Sequence, residues 1–134
     1  MIGTIEVGIT VKDLDAATEF YRDIVGLEYL RDLEVPGGVI RRFAHGDSAV
    51  VKLRLDNDPP TLANPPMGFS GGATGMRYFT LRIDDVAGAV EQCLAAGLPV
   101  RVPLTEHAPG VWYAIVEDPD GTWLEISQVP KGTP

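Results

Sequence analysis

The chain carries a single cysteine, Cys93, so no disulfide can form within it and its fold must rest on an apolar core. Cys93 falls on the apolar side of a predicted helix, which reads as a buried thiol and not a nucleophile. No run of about 18 apolar residues occurs, and no membrane-spanning helix is expected. Basic residues are scarce: 11 Lys and Arg face 19 Asp and Glu, a formal charge of −8. Nucleic acid is therefore an unexpected partner, because phosphate binding needs a basic surface to release counterions. Met1–Glu6 enters a strand pattern at once and leaves no room for a signal peptide; a reducing cytoplasm is the expected location. The remaining composition, 45% hydrophobic and 22% charged over 134 residues, suits one globular domain or two small modules.

What the chain does contain is a repeat. Val11-Lys12-Asp13-Leu14, Glu19 and Gly26-Leu27 match Ile83-Asp84-Asp85-Val86, Glu91 and Gly97-Leu98, with one residue lost inside the second helix. The alignment sets Glu6 opposite Tyr78 and Lys52 opposite Glu125. In the first copy Asp15 reads as the N-cap, with Ala16, Ala17, Phe20, Tyr21, Ile24 and Val25 at helical spacing and Gly26 as the stop. In the second, Asp84 or Asp85 caps a stripe of Val86, Ala89, Val90, Cys93 and Leu94 that ends at Gly97.

Strands follow each helix: Leu27–Val35, Val39–Ala44 and Ala49–Leu55, then Val100–Leu104, Val111–Glu117 and Thr122–Gln128. The turn Asp118-Pro119-Asp120-Gly121 suits a tight hairpin, and Ala44-His45-Gly46-Asp47 is its counterpart. Each half is thus β-α-β-β-β: residues 1–56 form a first module and 77–134 a second. The Pro/Gly-rich stretch 57–76 reads as a linker. Alternation puts Glu6, Lys52, Tyr78 and Glu125 on polar strand faces, opposite apolar faces that pack on the helices.

Val11–Asp15 with Phe20-Tyr21 and Gly26-Leu27, together with Val116–Gly121 and Leu124-Glu125-Ile126, resemble the vicinal oxygen chelate superfamily. That group includes glyoxalase I, extradiol dioxygenases and bleomycin resistance proteins. The resemblance implies an α+β fold, two paired β-α-β-β-β modules forming a curled eight-stranded mixed sheet, a cup with helices on its convex face, often within a homodimer. Metal-using members place ligands on the first and last strand of each module. Carried over, those positions are Glu6, Lys52, Tyr78 and Glu125. Glu6 and Glu125 suit a metal, but an ammonium has only donors and repels a cation, and tyrosine is a rare ligand for zinc, nickel or magnesium. His45, in the predicted turn, and His107, in the predicted loop Thr105–Gly110, lie elsewhere. No metal and no other cofactor is expected.

An ammonium between two carboxylates relieves their repulsion. Lys52 is therefore expected to bridge Glu6 and Glu125, with Tyr78 donating a hydrogen bond, an arrangement suited to proton transfer. Trp123, and Trp112 on an unassigned face, are candidate stacking walls. Arg54 and Arg82 are candidate contacts for an anionic ligand, and His107 is a weaker ligand candidate. Three functional readings follow: metal-independent isomerase, epimerase or lyase chemistry on a small oxygenated metabolite; sequestration of a drug or secondary metabolite; and a metal-dependent glyoxalase-like lyase.

Overall fold

The computed structural model describes residues 3–65 and 71–134. Met1 and Ile2, and Pro66 and Gly68 of the predicted linker, lie outside the described residues. The chain forms two compact units, Met1–Ala63 and Asn64–Pro134, each an α+β module with one four-stranded mixed sheet.

In the first unit, β1 (Ile5–Thr10) leads into α1 (Leu14–Thr18), which continues as a π-helical stretch, Glu19–Ile24. Then follow β2 (Glu28–Val35), β3 (Gly38–His45) and β4 (Ala49–Asp56). The strand order is β1-β4-β3-β2, with β1 parallel to β4 and the other pairs antiparallel. The second unit repeats this with β5 (Phe79–Arg82), α2 (Val86–Ala95), β6 (Val100–Ala108), β7 (Val111–Glu117) and β8 (Trp123–Gln128). Its order is β5-β8-β7-β6, again with the first and last strands parallel. No described helix is long and apolar enough to cross a membrane.

The helix caps differ in part from expectation. Asp13, not Asp15, caps α1: its Oδ1 accepts from the amides of Asp15 at 3.0 Å and Ala16 at 3.1 Å. The repeat already pointed there, because Asp13 aligns with Asp85, whose Oδ1 accepts from the Gly88 amide at 2.9 Å. Gly26 and Gly97 stop their helices at φ +93° and +73°, the left-handed region that glycine enters without a Cβ penalty. The widening to a π-helix was not foreseen. It closes with the Val25 amide donating to the Phe20 carbonyl at 3.0 Å. Adjacent Phe20 and Tyr21 are both fully buried, edge to face at 4.8 Å. A wider helix turns less per residue, so neighbouring rings can share the inner side.

Phe43, Val51 and Leu53 are fully buried on one face of the first sheet, the side on which Arg41 donates to Thr18 Oγ1 of α1 at 3.1 Å. Arg41 also grips Asp32 at 2.9 Å. That guanidinium holds the Asp32 carboxyl below its ordinary range. In the second sheet the buried face is Ala114, Val116, Leu124 and Ile126. The predicted apolar stripe of α2 holds for Val86, Ala89, Val90 and Cys93, but Leu94 is 62% exposed. Ile5 likewise is 70% exposed at the start of β1, although its alternation matches the buried Ile9.

Burial pushes the Cys93 thiol up to about 11. The folded protein is therefore expected to resist a thiol-specific disulfide reagent at pH 8, and the urea-unfolded chain to release one equivalent. Rapid labelling of the folded protein would show that α2 opens readily.

Candidate functional site

Register determines which side chains share each polar face. In the first sheet Gly8 pairs with Lys52 across β1–β4, Lys52 with Arg42 across β4–β3, and Arg42 with Arg31 across β3–β2. Paired residues point the same way, so these four form one rung across the face. Glu6, one step along β1, reaches over it. Its Oε1 accepts from Arg42 Nη1 at 2.8 Å and lies 3.8 Å from Lys52 Nζ. Lys52 and Arg42 are each about a third exposed or less, at 33% and 21% of the side chain, which keeps them accessible while limiting solvent screening.

The equivalent rung of the second sheet is Thr80, Glu125, Ile115 and Val102. Lys52 and Glu125 thus hold the same station in their sheets. Glu125 accepts a hydrogen bond from Thr80 Oγ1 at 2.8 Å, a neutral donor where Glu6 has cations. Tyr78 stands just before β5, in phase with Thr80, and is 38% exposed.

The other candidates are scattered. Trp123 is half-buried and, one rung along, pairs with Glu117; Glu117 is itself held by Arg101 at 2.7 Å. Trp112 pairs with Gln128 on the opposite face, the side on which Gln128 Oε1 accepts from the first α2 amide at 3.0 Å. It shares no face with Glu125. Arg54 is on the Lys52 face but is taken up by Asp56 at 2.6 Å and the Pro36 carbonyl at 2.9 Å. Arg82 donates to the Pro134 carbonyl at 3.2 Å. His107 is exposed and belongs to β6 instead of a loop, with its ring edge to face on Tyr113 at 6.3 Å. His45 ends β3, and its carbonyl accepts from Ser48.

Arg42 and Arg31 are the functional candidates that sequence reasoning missed. Their signal was the cross-strand register, not any motif.

The donor chemistry at Glu6 and Lys52 does not suit a divalent cation. Glu6 is already shared between a guanidinium and an ammonium, and Lys52 offers no lone pair in its charged state. Among the described residues, no group of three or more His, Cys, Asp or Glu is placed to hold a metal ion.

The family model of the Glyoxalase/Bleomycin resistance protein/Dioxygenase superfamily matches residues 3–126. A Synechocystis protein named probable lactoylglutathione lyase is 29% identical over 128 residues, 90% of this chain and 90% of that protein. A lactoylglutathione lyase of Arabidopsis thaliana is 30% identical over 124 residues, 88% of this chain but 41% of that longer protein. Among solved structures, a glyoxalase family protein from Bacillus cereus matches with a TM-score of 0.79 at 16% identity, over 96% of this chain and 94% of that one. Leishmania major glyoxalase I matches with a TM-score of 0.72 at 22% identity, over 96% and 87% of the two chains. At these identities the structural matches speak for the fold.

Proposed function

The chain belongs to the glyoxalase/bleomycin resistance protein/dioxygenase superfamily, and from that premise we propose that it carries out metal-independent proton transfer on a small oxygenated metabolite. The reaction would be of the isomerase, epimerase or lyase type. The observation carrying this reading is the Glu6–Arg42–Lys52 cluster, which puts fixed positive charge at a station where metal-using relatives would place a ligand. Relatives named lactoylglutathione lyase favour lyase-type chemistry over simple sequestration.

In this reading Glu125 removes a proton from the carbon next to a carbonyl. The electron pair moves onto the carbonyl oxygen, whose developing charge is met by the Lys52 ammonium and a hydrogen bond from Tyr78. For an α-hydroxy carbonyl, Glu125 then returns the proton to the former carbonyl carbon while the hydroxyl proton passes to the enolate oxygen, so that the hydroxyl carbon becomes the new carbonyl. For epimerisation, another donor returns a proton to the opposite face of the original carbon. Glu6 holds Arg42 and Lys52 in place and takes no proton. The reading requires a first and a second module to share one ligand, within a chain or across a homodimer.

The test is hydrogen exchange. Chelator-treated protein is incubated in D2O with a panel of α-hydroxy and α-oxo compounds, and loss of the α-proton is followed by NMR. Exchange on at least one compound, unchanged by chelator, is expected. Exchange only after adding zinc, nickel or manganese would establish the metal-dependent lyase instead. Tight binding with no exchange anywhere on the panel would establish a sequestering protein.

A further inference from the structure

The first-sheet rung Gly8–Lys52–Arg42–Arg31 contains three cations side by side. Adjacent strands are about 4.8 Å apart, so the three charges originate within about 10 Å along one line. Like charges directly opposite one another destabilise a sheet. Glu6 contacts two of them, Arg42 and Lys52, and Glu28, which pairs with Ala44, lies one step along the same face. Three cations against these two carboxylates leave one positive charge. The surplus stands out on a chain whose formal charge is −8. The repeat-related rung Thr80–Glu125–Ile115–Val102 has no cation at all, so the β-α-β-β-β architecture does not demand one.

Gly8 adds a second, independent observation. A Cβ built there would meet nothing within 4 Å, so the surface beside Lys52 is open. The same place in the second sheet is filled by Thr80, which closes onto Glu125. One rung is plugged by its own side chain; the other is left charged and vacant of side chain.

We propose that the Lys52–Arg42–Arg31 rung docks an anionic group, a carboxylate or a phosphate, of the small molecule this protein acts on, with Gly8 providing the room. The inference rests on the proposed small-molecule chemistry for the existence of a substrate, and adds that the substrate is an anion. Arg42 is suited to bidentate contact with a planar carboxylate or a phosphate, while Lys52 supplies a point charge. The field of the rung would also concentrate anions against an otherwise repulsive protein.

Calorimetric titration of the full chain with oxalate, with inorganic phosphate and with neutral oxamide tests this. Saturable binding of an anion at about one per chain is expected, weakened by added salt, with no binding of oxamide. Preference for oxalate would identify a carboxylate as the recognised group, and preference for phosphate a phosphate ester. Gly8→Val fills the opening with a residue that favours strands and keeps every charge; it should weaken binding at least tenfold, as should Arg42→Gln. Absence of anion binding, or binding undiminished in both variants, overturns the proposal. Exchange on neutral compounds without anion binding would refute it while leaving the proton-transfer reading intact. Anion binding at this rung without exchange on any compound would do the reverse.

Discussion

Glu125→Gln is expected to lower the rate of substrate proton exchange by about 10²–10⁴-fold, the usual contribution of a positioned general base. The substitution keeps the shape of the side chain and an oxygen that can accept from Thr80, now 2.8 Å away. It removes only the capacity to take a proton. Substrate affinity and thermal stability should therefore change little, which separates a chemical loss from a structural one. Lys52→Met should also cost orders of magnitude in turnover, because the developing oxyanion loses its counter-charge. Steady-state rates of both variants on the compound found by the exchange screen provide the measurement. Full activity in Glu125→Gln would remove that carboxylate from the role of base.

The largest expected loss of stability comes from Phe43→Ala, at roughly 3–5 kcal/mol. Phe43 is fully buried at the centre of the first sheet, opposite Val51 on β4 and Tyr29 on β2. Its ring meets Tyr29 edge to face at 5.9 Å. Truncation discards the transfer energy of the ring and leaves a cavity on β3, which is hydrogen-bonded to β4 on one side and β2 on the other and so resists collapsing inward. Phe43→Leu, which refills most of the space, should cost under roughly 1.5 kcal/mol. Urea titration followed by tryptophan fluorescence and circular dichroism would give both values. A cost for the alanine variant close to that of leucine would show that the site relaxes and that the core is less tightly packed than its burial indicates.

The repeat in the sequence was a sound guide to fold because it reported on backbone needs. Capping aspartates, helix-ending glycines and alternating apolar residues each answer to local geometry, and each recurs at the matching place. The polar stations Lys52 and Glu125 were legible for the same reason, since alternation places them in phase. What alternation cannot supply is the partner on the next strand. A loop over residues 45–48 would set Arg41 opposite Lys52; the loop that forms, 46–48, sets Arg42 there. Those neighbouring arginines have opposite fates, one bonded to Asp32 and Thr18 on the helix side and the other to Glu6 on the polar side. Trp112 illustrates the same sensitivity. A loop over 118–121 would put it opposite Ser127 on the Glu125 face. Asp118 instead draws Thr122 into the turn, its Oδ1 accepting from the Asp120 and Thr122 amides at 2.9 Å each, and Trp112 pairs with Gln128. One turn residue decides which side chains can meet a ligand.

The parallel pairing of first to last strand in each unit also orders events in time. Ile5 pairs with Ala49, 44 residues later, and Phe79 with Leu124, 45 later. The β2–β3–β4 meander consists of antiparallel neighbours joined by short turns, which close quickly, whereas β1 must wait for the strand made last. At ribosomal speeds of about 5–20 residues per second, that wait is roughly 2–9 s. Until then β1 has no hydrogen-bonding neighbour, and a chain halted before Ala49 cannot give it one. Each module is completed by its final strand, so a chain cut before β4 or β8 leaves β1 or β5 without its native partner.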